Sequence, residues 1–369
     1  MKTTLRRAAK PGLAVLALSV ALTACSAANE EGDTNNAGSG DDNGSSLSGT
    51  LNGAGASSQE AAMGAWRAGF QTANGGVTVN YDPVGSGGGR EQFIAGGVQF
   101  AGTDSLLDED ELTAAAEQCG ADPIIIPSYV SPIAIIYNVD GVDDLKLDGP
   151  TLAGIFAGEI TKWNDPAIVA TNPDADLPDG DITAVHRADD SGTTDNFTAY
   201  LEAVAPDVWT YGEVGEWPIT HGEAAPQTSG VVSAVSNGSN TIGYADASQA
   251  GDLGQVQVQV GEDFVGPSAE AAAKVLEVSP EAEGQGENAM AYDLARDTEE
   301  SGAYPIVLTS YLLACASYDD ANQAELVKGF LTYLVSDDGQ QAAADAAGSA
   351  PLSDTLQDEA EALIEQIGS

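Results

Sequence analysis

The stretch Arg187-Ala188-Asp189-Asp190-Ser191-Gly192-Thr193 has the residue types and spacing to do chemistry. An apolar run at 182–185 predicts a strand leading into it, and the apolar spacing from Phe197 to Leu201 predicts a helix after it. A helix start has unpaired backbone N–H groups and partial positive charge, and an Arg beside it adds a planar fork of donors. Such a place suits an oxyanion. It also suits an ordinary N-cap, with Ser191 or Thr193 as the capping residue. Ser57 in Gly53-Ala54-Gly55-Ala56-Ser57-Ser58 and Ser86 in Gly85-Ser86-Gly87-Gly88 repeat the pattern of a hydroxyl among glycines where a strand gives way to a helix. Asp104 follows another short strand. In open α/β sheets ligands sit beyond the carboxyl ends of the strands, so these turns can share one site. Backbone amides, hydroxyls and Arg187 would then neutralise a small tetrahedral oxyanion without a basic surface.

A secreted serine hydrolase or phosphatase using Ser57, Ser86 or Ser191 is the enzymatic alternative. The chain has only His186 and His221, and neither sits in a triad or metal-ligand motif. No metal or cofactor is implied. A formal net charge of −45, from 57 acidic against 12 basic residues, excludes general nucleic-acid binding and disfavours anionic lipid surfaces. It does not exclude an anion site, because charges are screened beyond about 8 Å at physiological salt and local donors decide affinity.

The 369 residues suffice for two domains. Lys2, Arg6, Arg7 and Lys10 precede a short apolar run at 13–22 and then Leu22-Thr23-Ala24-Cys25, which looks like a lipobox. Residues 1–24 are expected to be a lipoprotein signal peptide, with Cys25 lipidated and residues 25–47 a flexible tether. The protein is therefore expected outside the cytoplasm, anchored to the outer face of the cell membrane. Without Cys25, Cys119 and Cys315 remain, as a disulfide or as two buried thiols.

The elements needed to position these turns alternate in α/β fashion. Strands are expected at 47–51, 77–81, 99–101, 241–244 and 306–316, and residues 123–127 and 133–139 read as two buried parallel strands. Residues 256–260 resemble a hairpin arm. Helices are expected at 61–70, from Glu91, at 152–156, from Gly230, at 321–334 and at 337–347. Ser57 and Glu60 form a capping-box pattern, and Asp104 has helix capping as its alternative role. Trp209, Tyr211 and Trp217 are read as packing residues.

Taken together, Gly53-Ala54-Gly55-Ala56-Ser57, Gly85-Ser86-Gly87-Gly88, Thr103-Asp104, Lys162-Trp163-Asn164-Asp165, Arg187 through Thr193 and Ile242-Gly243-Tyr244 resemble the substrate-binding lipoproteins of bacterial high-affinity phosphate ABC transporters. The resemblance implies a two-lobed periplasmic-binding-protein (type II) fold, each lobe a mixed, mainly parallel sheet flanked by helices, with two hinge crossovers. It places one lobe at 48–131 plus 306–369 and the other at 132–305, with Cys119 and Cys315 on the two segments of the first. It implies phosphate ligands at Ala56, Ser57, Ser58, Ser86, Asp104, Arg187, Ser191, Gly192 and Thr193, Ser58 through its backbone N–H, with Asp189 orienting the Arg. It further implies a monomer that delivers phosphate to a permease pair with its ATPase. Position 57 departs from a frequent Thr, Ser58 from a common Phe and Gly87 from a second Ser, and the loop at Gln227-Thr228-Ser229-Gly230 lacks a frequent Gly-Asn pair. A carboxylate beside an anion is favourable only if the anion brings a proton; phosphate keeps a P–O–H at neutral pH and sulfate does not. Asp104 is therefore expected to select phosphate over sulfate by about 10⁴ or more, and to argue against sulfate, molybdate or tungstate as the cargo.

Overall fold

A computed structural model describes residues 47–368; the expected signal peptide at 1–24, Cys25 and all but the last residue of the tether expected at 25–47 lie outside the described residues. The chain runs β1 (Ser48–Gly55), α1 (Glu60–Ala73), β2 (Gly76–Asp82), α2 (Ser86–Ile94), β3 (Phe100–Thr103), α3 (Glu109–Cys119) and β4 (Ile124–Asn138). It continues through β5 (Lys146–Leu147), α4 (Gly149–Ala157), α5 (Pro166–Thr171), β6 (Thr183–Arg187), α6 (Gly192–Val204), β7 (Glu223–Ala225), α7 (Gln227–Asn237) and β8 (Thr241–Asp246). The last part holds β9 (Gly254–Gln255), β10 (Gln257–Val260), β11 (Asp263–Val265), α8 (Ala269–Glu277), β12 (Val307–Ala314), α9 (Ala321–Val335), α10 (Asp337–Ala347) and α11 (Asp354–Ile364).

The main sheet has the order β2-β1-β3-β12-β4-β8-β6-β7. β1 is parallel to β2 and β3, and β6 is parallel to β7 and β8, as short βαβ crossovers require. The middle differs from the sequence expectation. The apolar runs at 123–127 and 133–139 are one 15-residue strand, and it is antiparallel to β12 and β8. Two prolines make it read as interrupted. Pro127 faces the register shift between Ser310 and Tyr311, and Pro132 is the last residue paired with β12 before β8 takes over at Ile133. A residue without an N–H is tolerated at such irregularities. β4 is buried on both faces, which suggested a parallel strand although its neighbours run the other way.

One large apolar core runs from Leu51 and Trp66 through Tyr129 and Ile135 to Phe156 and Tyr244. Trp66 Nε1 donates to Gly339 O at 2.8 Å, fixing α1 against α10. Trp163 and Trp209 are buried and Trp217 is packed against that core, so the tryptophans are packing residues as expected, while Tyr211 is exposed. β10 pairs with β11 in a hairpin and with β5 in parallel, so the expected hairpin arm is present. Among the described residues no helix is long and apolar enough to cross a membrane.

Cys119, the last residue of α3, is bonded to Cys315, just past β12, across 196 residues of sequence. Closing so long a loop restricts the unfolded chain by up to about 5 kcal/mol. The double variant C119A/C315A is expected to lower the melting temperature while leaving the far-ultraviolet circular dichroism unchanged, and the wild-type protein should show the same loss under a reductant.

Candidate anion-binding site

The turns picked out by the sequence lie together where β1, β2, β3 and β6 end. Ala56 N–H donates to Gly102 O at 2.9 Å, tying the turn after β1 to the end of β3. Ser57 does not form the expected capping box: α1 is preceded by Gln59 without a side-chain cap. The Ser57 hydroxyl instead meets Thr228 Oγ1 at 3.0 Å and accepts the Thr228 N–H at 3.1 Å. Ser58 contributes its hydroxyl, which donates to Asp104 Oδ2 at 2.5 Å. α2 begins at Ser86 itself, five residues before the expected Glu91, and Ser86 Oγ accepts the Asp104 N–H at 3.1 Å. Asp104 is not a helix cap, because Asp108 caps α3 in a full capping box with Glu111.

Arg187 ends β6. Its Nε donates to Asp189 Oδ1 at 2.9 Å and its Nη2 to Asp189 Oδ2, a bidentate pair that fixes the guanidinium plane. Its Nη1 reaches Thr228 Oγ1 at 3.4 Å, and its backbone N–H donates to Tyr244 Oη. Gln227, with φ of 58°, donates its N–H to Asp189 Oδ1, so the start of α7 holds the same carboxylate. Of the two candidate caps for α6, Ser191 is used: its hydroxyl accepts the Thr194 N–H at 3.2 Å. Thr193 Oγ1 is buried and, among the described residues, has no partner. An unpaired buried hydroxyl costs stability, and Thr193 shares this state with the hydroxyls of Tyr129, Ser131, Thr309 and Ser349.

Close approach explains two glycines. A Cβ on Gly192 would lie 2.7 Å from Ser86 Oγ and 2.8 Å from Asp104 Cβ. At Gly85, φ is +96° and a Cβ would lie 2.6 Å from Asp189 Oδ2. The turn after β2 thus packs directly on the loop after β6. Ala56, Ser57, Ser58, Ser86, Asp104, Arg187, Ser191 and Thr193 are all buried.

The electrostatics are those of a buried site with its charges paired. Asp189 balances Arg187. Burial pushes the Asp104 carboxyl up, while the Ser58 and Ser310 hydroxyls and the Arg187 and Arg90 guanidinium groups pull it down. Ser310 Oγ donates to Asp104 Oδ1 at 2.7 Å. A carboxylate offers about four lone-pair positions, of which these two hydroxyls take two. His186 is engaged elsewhere: it stacks on Trp217 with ring centroids 4.8 Å apart, its Nδ1 meets Arg187 O, and burial lowers its pKa. Among the described residues no group of His, Cys, Asp or Glu could hold a metal ion.

Sequence reasoning missed three contributors. Thr228 joins Ser57 to Arg187 from the loop from which nothing was expected; α7 starts at Gln227 rather than Gly230. Arg90, buried in α2, donates to Glu111, Thr103 and Ser105 and lies 3.6 Å from Asp190. Ser310 sits within the apolar run of β12. Thr228→Ala frees Ser57 and Arg187 from each other, and a lost hydrogen bond to a charged group predicts about a tenfold weaker anion affinity. Thr228→Ser should retain most of it, which titration of both variants measures.

A sequence model described as a PBP superfamily domain matches residues 40–338. The chain is 36% identical over 292 residues to the phosphate-binding protein PstS3 of Mycobacterium bovis (strain BCG / Pasteur 1173P2), covering 76% of this chain and 77% of that protein. It is 34% identical over 303 residues to the phosphate-binding protein PstS of Xylella fastidiosa, covering 79% of each. Among solved structures it resembles a high-affinity periplasmic phosphate-binding protein (PfluDING) bound with phosphate, with a TM-score of 0.70 and 24% identity, covering 85% of this chain and 93% of that one. That last likeness speaks for the fold.

Proposed function

The chain belongs to the PBP superfamily and, within it, to the PstS phosphate-binding proteins, and we propose that it captures inorganic phosphate outside the cytoplasm for an ABC permease pair and its ATPase. It is a solute-binding protein and not an enzyme. The observation that carries the reading of the site is the convergence of Arg187, the turns bearing Ser57, Ser86 and Thr193, and an enclosed acceptor, Asp104. Ala56, Ser57, Ser58, Ser86, Ser191, Gly192 and Thr193 surround the guest with hydroxyls and amides, Arg187 neutralises charge, Asp189 holds Arg187 in plane, and Asp104 accepts the guest's proton. These groups favour phosphate over sulfate, and over any tetrahedral oxyanion lacking a proton.

Two lobes, 48–131 plus 306–369 and 132–305, close on the phosphate. The change of partner in β4 between Pro132 and Ile133 supports the first crossover, and the start of β12 at Val307 supports the second. Ligands then come from both lobes, so phosphate stabilises closure by contacts that only the closed form makes. The protein is a monomer held to the membrane only through lipid on Cys25. Equilibrium dialysis of the anion-stripped protein against radiolabelled phosphate tests the function: one phosphate per chain is expected, and failure to retain it would refute the reading.

A further inference from the structure

Asp104 is met by a different hydroxyl at each oxygen, Ser58 Oγ at Oδ2 and Ser310 Oγ at Oδ1. A hydroxyl can donate or accept, so what fixes its proton decides what Asp104 can be. Ser310 Oγ is fixed from behind. It accepts a hydrogen bond from Gln59 Nε2 at 2.7 Å, and the same nitrogen donates to Tyr311 O at 3.1 Å. Both amide hydrogens are therefore used, and Gln59 Oε1 shares the single Tyr81 hydroxyl hydrogen, at 3.2 Å, with Ala56 O at 3.1 Å. Tyr311 O can only accept, so the amide cannot turn over. With an amide hydrogen at its lone pair, Ser310 directs its own proton to Asp104.

We propose that Gln59 and Ser310 are specificity-determining positioning residues: they hold Asp104 as a hydrogen-bond acceptor, so the cleft rejects anions that arrive without a proton. The inference rests on the reading that Asp104 faces the bound anion. Gln59 and Ser310 are both buried and 251 residues apart in sequence, so the relay exists only in the folded chain. The other charged and titratable groups facing Asp104 are Arg187 from β6, Arg90 from α2, Tyr81 from β2, Tyr129 from β4 and Asp246 from β8. Burial is the largest influence and raises the Asp104 pKa; the Ser58 and Ser310 hydroxyls, and then the two arginines, oppose it in favour of the carboxylate.

Removing the Ser310 hydroxyl raises the pH at which Asp104 takes up a proton. Below that pH the carboxyl donates instead of accepting, and sulfate becomes a suitable guest. Ser310→Ala is expected to lower the ratio of phosphate to sulfate affinity by about 10- to 100-fold near neutral pH, the worth of one hydrogen bond to a charged group. The ratio should recover as the pH is raised, with its midpoint above that of the wild type. Phosphate's own titration is common to both proteins and cancels in the comparison. Ser310→Thr should retain the wild-type profile. Gln59→Met, which removes the orienting amide, should shift the ratio in the same direction by less, and it decides the matter if Ser310→Ala does not fold. If Ser310→Ala or, failing that, Gln59→Met weakens both anions equally, or leaves the ratio and its pH profile unchanged, the inference is overturned. Asp104→Asn measured alongside separates the two levels. If it leaves the ratio intact, the reading of Asp104 itself fails; if it collapses the ratio while the relay variants do not, only the relay is wrong.

Discussion

Arg187→Ala is expected to weaken phosphate binding by up to about 4,000-fold. Truncating one partner of a buried, hydrogen-bonded charge pair costs about 2–5 kcal/mol, or about 30- to 4,000-fold in affinity. The upper end applies here, because the change also strips Asp189 of its counter-charge and leaves that carboxylate beside the incoming anion. Arg187→Lys keeps the charge but has no planar fork for Asp189, so it should not rescue binding fully. Calorimetric titration reads both variants, and circular dichroism confirms that each retains the fold. Phosphate affinity within tenfold of the wild type in Arg187→Ala would place the anion elsewhere.

Asp104→Asn should act on selectivity more than on affinity. Asn keeps the shape of Asp and offers an N–H, which sulfate can accept and which the carboxylate could not provide. Discrimination of about 10⁴ is expected to fall to about tenfold, because the polar group that penalised an unprotonated guest is gone. Phosphate itself should bind the variant only moderately less well, since on the proposed reading its other oxygens would still meet Arg187, Thr193 and the serines. Competition between labelled phosphate and unlabelled sulfate measures this directly.

How much of this site could be read from sequence depended on whether a residue's role was local. Ser57, Ser86, Arg187 and the Ser191-Gly192-Thr193 turn were legible because strand, glycine, hydroxyl and helix follow one another within a few residues. The Arg187–Asp189 pair is two residues apart and equally local. Thr228 was not legible: its significance comes from contact with Ser57, 171 residues away. The same contact made the capping-box reading of Ser57 fail, since its hydroxyl is turned across the cleft and not back onto α1. Ser310 stayed hidden among apolar neighbours of β12, where a serine reads as one more strand residue. In the fold, the parallel βαβ pairs followed from alternation, but the central antiparallel strands did not. Burial on both faces of β4 is a fact of layering and says nothing about direction. The Cys119–Cys315 bond was within reach because setting Cys25 aside as the expected lipidation site leaves a single pair of cysteines to join.

The central claim is that an enclosed carboxylate, set among amides, hydroxyls and one guanidinium, admits a tetrahedral anion only if that anion supplies a proton. It is tested most directly by titrating anion-stripped wild-type protein with phosphate and, separately, with sulfate in the same buffer at neutral pH. Saturable phosphate binding is expected at concentrations where sulfate, even in about 10⁴-fold excess, yields no heat and displaces nothing. Comparable affinities for the two anions would contradict the account.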